Sequence, residues 1–256
     1  DLFLKPKEID LDKLAFDVSE LSINGVRTTL LMRPSLLSPS IDTSSSTSPL
    51  LLKAEKLSLQ NIEYVMEDKS SALYMKVILG ALDGNIPLFD LEKQFIDIQK
   101  IGLENSDVQI ILGKEDTKVK NIETQNDIAS IVDTLGWTIK GDRVHINKLN
   151  FKMDDQNAKK LTKGIDYSHL NIQNLVLLTE NIQYNSLDSI SGKINQLNLV
   201  EQSGLEILEL KTNFVYHNKG AILDKLYLKT PSTIIQDKLQ VSYPSLDAIS
   251  KNMNSN

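Results

Sequence analysis

The chain has 256 residues, a net charge of −6, 41% hydrophobic but only 5% aromatic residues, and no cysteine. The interspersed acidic balance excludes a basic nucleic-acid groove, and the missing thiols exclude disulfides, thiol catalysis and thiolate metal sites. No stretch reaches the roughly 18 apolar residues that a membrane helix needs.

The length suits one large all-β domain or two small ones. It starts at Asp1 with neither an initiator Met nor a signal peptide, which reads as a processed or excised fragment with any targeting segment outside it. Asp1 to Pro6 is short and polar. Leu14 to Met32 is a strand pair turning at Asn24-Gly25, a favoured hairpin dipeptide. Residues 33–49 hold three prolines and a Ser/Thr run, a surface loop. Strands follow near 50–66, 73–80, 86–91, 94–103 and 106–112, with breaks at Glu67-Asp68-Lys69, Asp83-Gly84-Asn85 and Glu104-Asn105.

Ile128, Ile131, Val132 and Leu135 recur at helical spacing, so 125–136 is expected as a short amphipathic helix. It divides a first β segment, 1–124, from a second, 137–256. In the second, strands are expected at Trp137 to Lys140, Val144 to Met153, Leu170 to Leu178, Ile182 to Tyr184, Ser189 to Val200, Leu205 to Tyr216, Ala221 to Leu228 and Thr233 to Tyr243. Asn157 to Lys163 is a lysine-rich loop, and Pro244 to Asn252 a terminal helical turn.

One six-residue unit recurs: apolar, two polar, apolar, variable, apolar. It is clearest at Leu223-Asp224-Lys225-Leu226-Tyr227-Leu228 and starts also at Val18, Ala54, Ile98, Ile146, Ile172 and Ile194. The last three positions alternate as a strand does. The first apolar residue lies three before the second, the wrong parity for a flat strand. Either a bulge sits at the polar pair, or that first residue faces the other way. Intervals of 22 to 48 residues, with strands rather than helices between, argue against a leucine-rich solenoid and for hairpin-connected antiparallel strands.

Catalytic chemistry is sought and not found. His145, His169 and His217 are isolated, without a nucleophile or metal-ligand spacing. The acidic pairs Glu67-Asp68, Glu115-Asp116 and Asp154-Asp155 fall at strand breaks, where Asp hydrogen-bonds its own backbone. Gly113-Lys114 lacks the frame of a phosphate loop, and Ser191-Gly192 and Ser203-Gly204 lack that of a nucleophile elbow. The chain is read as a non-enzyme with neither cofactor nor metal. The aliphatic stripe recurs along the whole length. A curved sheet that leaves it open would offer acyl chains a long, non-directional surface; the core of a β-sandwich accounts for the same residues equally well.

The stretch from Lys163 to Tyr184 (KGIDYSHLNIQNLVLLTENIQY), with Ile190 to Ile235 after it, resembles the AsmA-like proteins, more narrowly the TamB group. Gly164-Ile165-Asp166-Tyr167 with His169-Leu170, then Ser203-Gly204-Leu205, then Leu228 with Thr230-Pro231, follow that family's order and spacing. Leu50 to Asp68 and Phe95 to Leu112 fit it as well, so the resemblance covers most of the chain. It implies a mainly β fold, an elongated, curved antiparallel sheet coiled into a taco-like groove. It also implies a periplasmic segment of a protein anchored in the inner membrane, the anchor lying outside this chain. The ligand would be phospholipid acyl chains, and the partners outer-membrane β-barrel assembly proteins. An alternative is a module that assists outer-membrane proteins through β-strand pairing. From the repeated unit, the candidate groove residues are Leu57, Leu59, Ile101, Leu103, Leu149, Phe151, Leu175, Leu177, Leu197, Leu199, Leu226 and Leu228.

Overall fold

The computed structural model describes residues 1–12, 14–33, 51–113, 136–185 and 189–242. Among them there are strands and turns and no helix. The expected helix at 125–136 (up to residue 135), the terminal turn at 244–252 and nearly all of the Ser/Pro-rich loop lie outside the described residues.

The strands are β1 (Leu2–Asp10), β2 (Ala15–Met32), β3 (Leu51–Asp68), β4 (Leu73–Asp90), β5 (Phe95–Ile98), β6 (Lys100–Leu112), β7 (Thr138–Asp155), β8 (Asn171–Asn185), β9 (Ser189–Glu201), β10 (Glu206–His217), β11 (Gly220–Lys229) and β12 (Ile234–Ser242). They form a single mixed sheet whose spatial order is the chain order, with β5 and β6 sharing the place between β4 and β7. Strands that are not hydrogen-bonded neighbours make no more than one glancing approach. The described sheet therefore neither closes on itself nor folds into a sandwich. Its mainly β, elongated character is as the sequence implies.

Several local expectations are corrected. The sheet is not purely antiparallel, because β2 pairs parallel with β3, and β5 and β6 pair parallel with β7. Parallel neighbours need a longer connection than a hairpin, and both junctions fall at the two longest connections between strands, 33–50 and 113–137. Asn24-Gly25 is no turn: β2 runs straight through it, and the hairpin partner of β2 is β1, formed by the supposedly featureless start. The breaks at 83–85 and 104–105 lie inside β4 and β6, and Trp137 to Met153 and Leu170 to Tyr184 each contain one strand rather than two.

The dipeptides that look like turns are kinks instead. Gly25 (φ 71°), Asn61 (φ 53°), Asn105 (φ 48°) and Lys148 (φ 58°) are left-handed residues in mid-strand. They lie level with one another, because Asn24 pairs with Gln60, Gln60 with Ala81, Ala81 with Glu104, and Glu104 with Asn147. Gly80 of β4 occupies the same level, and a Cβ there would lie 2.4 Å from the Asn105 carbonyl oxygen. Five adjacent strands thus crease along one line, with glycine and asparagine at three of the four left-handed positions because they tolerate that region best. The Gly80 amide donates to Ser106 Oγ (3.2 Å), which donates to the Glu104 carbonyl (3.0 Å), satisfying backbone groups that the crease frees.

Candidate functional site

The kinks and bulges decide which side chains share a face. In β9, Ile194 stands opposite Thr179 and Thr212, while Leu197 stands opposite Leu177 and Leu210. The partners are two residues apart and the β9 pair three, so an extra residue is taken up at the polar pair Asn195-Gln196. A bulge, not a reversal, resolves the parity, and the first apolar residue of the unit joins the others. In the units starting at Ile146, Ile172 and Leu223 the third position is left-handed: Lys148 (φ 58°), Asn174 (φ 50°) and Lys225 (φ 52°). The same apolar–polar–left-handed–apolar pattern occurs at Ile23–Val26 and Leu59–Ile62, and at Thr179–Ile182 with a threonine in the first place.

The consequence is a row of side chains, each directly opposite the next, that crosses the sheet from edge to edge. From β1 to β6 it reads Leu2, Ile23, Leu59, Leu82 and Leu103. From β7 to β12 it continues as Ile146, Leu177, Leu197, Leu210, Leu228 and Ile235. Every member is leucine or isoleucine. A second unbroken row on the same face runs Ile9, Phe16, Leu52, Phe89 and Ile96, then Ile139, Tyr184, Ile190, Tyr216, Ala221 and Val241. Trp137 extends the aromatic stretch, its ring centroid 5.7 Å from that of Phe89. Between the two rows lie Leu21, Leu57, Ile101 and Val144, with small residues such as Ala54, Gly84 and Gly192 among them.

All twelve candidate residues fall on this face. Leu59, Leu103, Leu177, Leu197 and Leu228 are in the long leucine row itself. Leu57, Ile101, Leu175, Leu199 and Leu226 are two residues from a member of it, and alternation puts them on the same side. Leu149 pairs with Leu175, and Phe151 lies two residues beyond, paired with Ile172. The unit did not reveal Leu2, Leu82, Leu210 or Ile235, nor the aromatic row. Plain alternation within each strand is the signal that would have found them.

The opposite face carries the ion pairs, with apolar residues such as Ile78 and Leu31 scattered among them. Glu63 binds Arg27 (2.6 Å) and Lys76 (3.2 Å) across three strands, Glu180 lies between Arg143 (3.4 Å) and Lys193 (3.8 Å), and Lys56 holds Glu20 (2.5 Å). The Lys76 hydrogen bond first, then Arg27, holds the Glu63 carboxyl below its ordinary range. Glu180 is lowered likewise, by Asn195 and its two cations.

The two faces differ in chemistry but not in cover. Only Val18, Ala54, Leu79 and Leu226 are buried hydrophobic residues among those described, and they lie on the apolar face beside the bulges and the crease. The leucine row is otherwise half-buried along its middle and open at its ends. At about 4.8 Å per strand and four rows deep, the apolar face spans on the order of 1,000 Å², and no described strand lies over it. Charged side chains are missing from both complete rows, and the polar groups among them are the Tyr184 and Tyr216 hydroxyls of the second.

No protein-family model matches the chain, and no curated protein matches it significantly. Among the described residues no group of three or more His, Cys, Asp or Glu is placed to hold a metal ion, and no helix is long and apolar enough to cross a membrane. The three histidines stay apart. His169 alone is buried, with Nδ1 3.0 Å from Asp166 and Nε2 3.7 Å from Asp154, where it fastens the β7–β8 loop.

Proposed function

We propose that this chain is a non-enzymatic lipid-handling segment that holds acyl chains along its apolar face and lets them pass from strand to strand. The leucine row from Leu2 to Ile235 carries this reading: it is continuous, uncharged and uncovered by any described strand. Alkyl chains suit such a surface because their contacts are non-directional and scale with area. With the resemblance to AsmA-like and TamB proteins, the reading extends to the periplasm, with phospholipid moving between inner and outer membranes and an inner-membrane anchor outside this chain.

The test is mass spectrometry of lipid extracted from the purified protein, together with Leu103→Glu and Leu177→Glu. Bound phospholipid is expected in the unaltered chain, and much less in either variant if the variant still gives a β-sheet circular dichroism spectrum. Lipid-free protein, or equal lipid in folded variants, would refute the proposal.

A second reading has an observation of its own. The outer backbone edges of β1 and β12 have no strand beside them among the described residues, and open edges accept extended segments by strand addition. This supports a module that assists outer-membrane proteins. It predicts that a β-strand peptide crosslinks to β1 or β12 and to no interior strand.

A further inference from the structure

The loop that joins β7 to β8 is unlike the rest of this acidic chain. Lys159, Lys160 and Lys163 fall within five residues of one another with no acidic residue among them. All three are exposed, and none has a hydrogen-bond or ion-pair partner among the described residues. Between them Leu161 is 61% exposed, and Tyr167 on the return limb is 62% exposed.

The backbone that carries these side chains is fixed. The Leu161 amide donates to Asp166 Oδ2 (2.8 Å), and the Ser168 amide donates to Asp166 Oδ1 (3.1 Å). The buried His169 grips Asp166 from behind, and the Gln202 side chain donates to the His169 carbonyl. At the loop's start the Asn157 side chain donates to the Gly113 carbonyl (3.0 Å). A single exposed leucine needs no explanation. A leucine braced in water among three unpartnered cations, with a tyrosine nearby, has the chemistry of a surface that is anionic outside and apolar beneath. Lysine meets lipid phosphate, leucine enters the acyl boundary, and tyrosine suits the headgroup level. An acidic protein would satisfy the lysines but offers no reason to brace the leucine outward.

We propose that the Asn157–Ser168 loop docks on an anionic lipid bilayer, with Lys159, Lys160 and Lys163 on phosphates and Leu161 and Tyr167 in the headgroup boundary. The loop follows Asp155, the last residue of β7, the strand that carries the candidate groove residues Leu149 and Phe151. Docking therefore brings that end of the apolar face to the membrane. The proposal does not rest on the acyl-chain reading, since the loop lies beyond the rows.

The test is co-sedimentation of the full chain with vesicles of phosphatidylcholine alone, or with roughly a third phosphatidylglycerol. Binding is expected only to the anionic vesicles and should weaken with added salt. The combined Lys159→Gln, Lys160→Gln and Lys163→Gln variant should partition roughly a hundredfold less, and Leu161→Asp about tenfold less. The matching Lys→Arg variant should bind as the parent does. Equal binding to neutral and anionic vesicles, undiminished binding by the glutamine variant, or equally strong capture by polyglutamate would each overturn the proposal. Uptake of a fluorescent fatty acid, measured on the same variants, should not change. Loss of uptake in Leu177→Glu with vesicle binding intact separates the two sites.

Discussion

Leu177 and Leu2 belong to the same row of the same sheet, yet they live in different solvents. Leu177 has a strand on either side and is half-buried, whereas Leu2 lies on an edge strand and is 73% exposed. Ile235 at the opposite edge is 44% exposed. Among the described residues no second layer covers any of the three. What shelters an interior residue within the described sheet is its lateral neighbours, not a facing strand. Stability should accordingly be spread along the rows rather than stored in a central core.

The largest expected effect comes from placing one charge in the two settings. Leu177→Asp should destabilise by about 2–4 kcal/mol, as it strands a carboxylate among leucines. Leu2→Asp should change stability by less than about 0.5 kcal/mol. Urea denaturation of both variants checks this, and equal losses would mean that the edge is covered in solution.

The crease gives the next contrast. Gly80→Ala should cost about 1–3 kcal/mol because its Cβ would run into the Asn105 carbonyl. Asn61→Val should cost about 1–2 kcal/mol, since a β-branched residue resists a left-handed backbone, while Asn61→Gly should be near neutral. Valine at exposed Gln60, one residue away and not left-handed, is the control. Thermal melts would show whether the penalty follows the φ angle or merely the side chain.

Acidification should bear on the braced polar groups. Asp166 is held below its ordinary range by the Leu161 amide first and also by His169, and Glu63 by Lys76 and Arg27. A carboxyl lowered in the folded state contributes stability at neutral pH that fades as pH falls from about 4 through the folded value. The melting temperature should thus drop in that window, and Asp166→Asn should make the drop shallower. A profile identical to the parent's would remove Asp166 from the explanation.

The repeated unit made half of this surface legible. The three-residue gap in Ile146-Asn147-Lys148-Leu149 already demands a bulge or a flip, and the ten leucines, one isoleucine and one phenylalanine chosen from such units share one face. Asn24-Gly25 misled because a left-handed residue serves a tight hairpin and a mid-strand kink equally well. Only the neighbouring strand, with Asn61 at the same level, tells the two apart. Glu104-Asn105 looks like a break for the same reason. The parallel junctions were not legible, because pairing direction depends on where the intervening chain travels, and no residue of β2 or β3 encodes that locally.

The uniformity of the leucine row has one more consequence. On the proposed acyl-chain reading, a tail that slides by one strand along the interior of the row, about 4.8 Å, would meet nearly the same surface it left. Such a track would have no preferred resting place between its two edges, and its occupancy would be set by length and crowding rather than by a count of pockets. Titration with a single-tailed amphiphile should then yield a gradual, fractional isotherm in place of a whole-number stoichiometry.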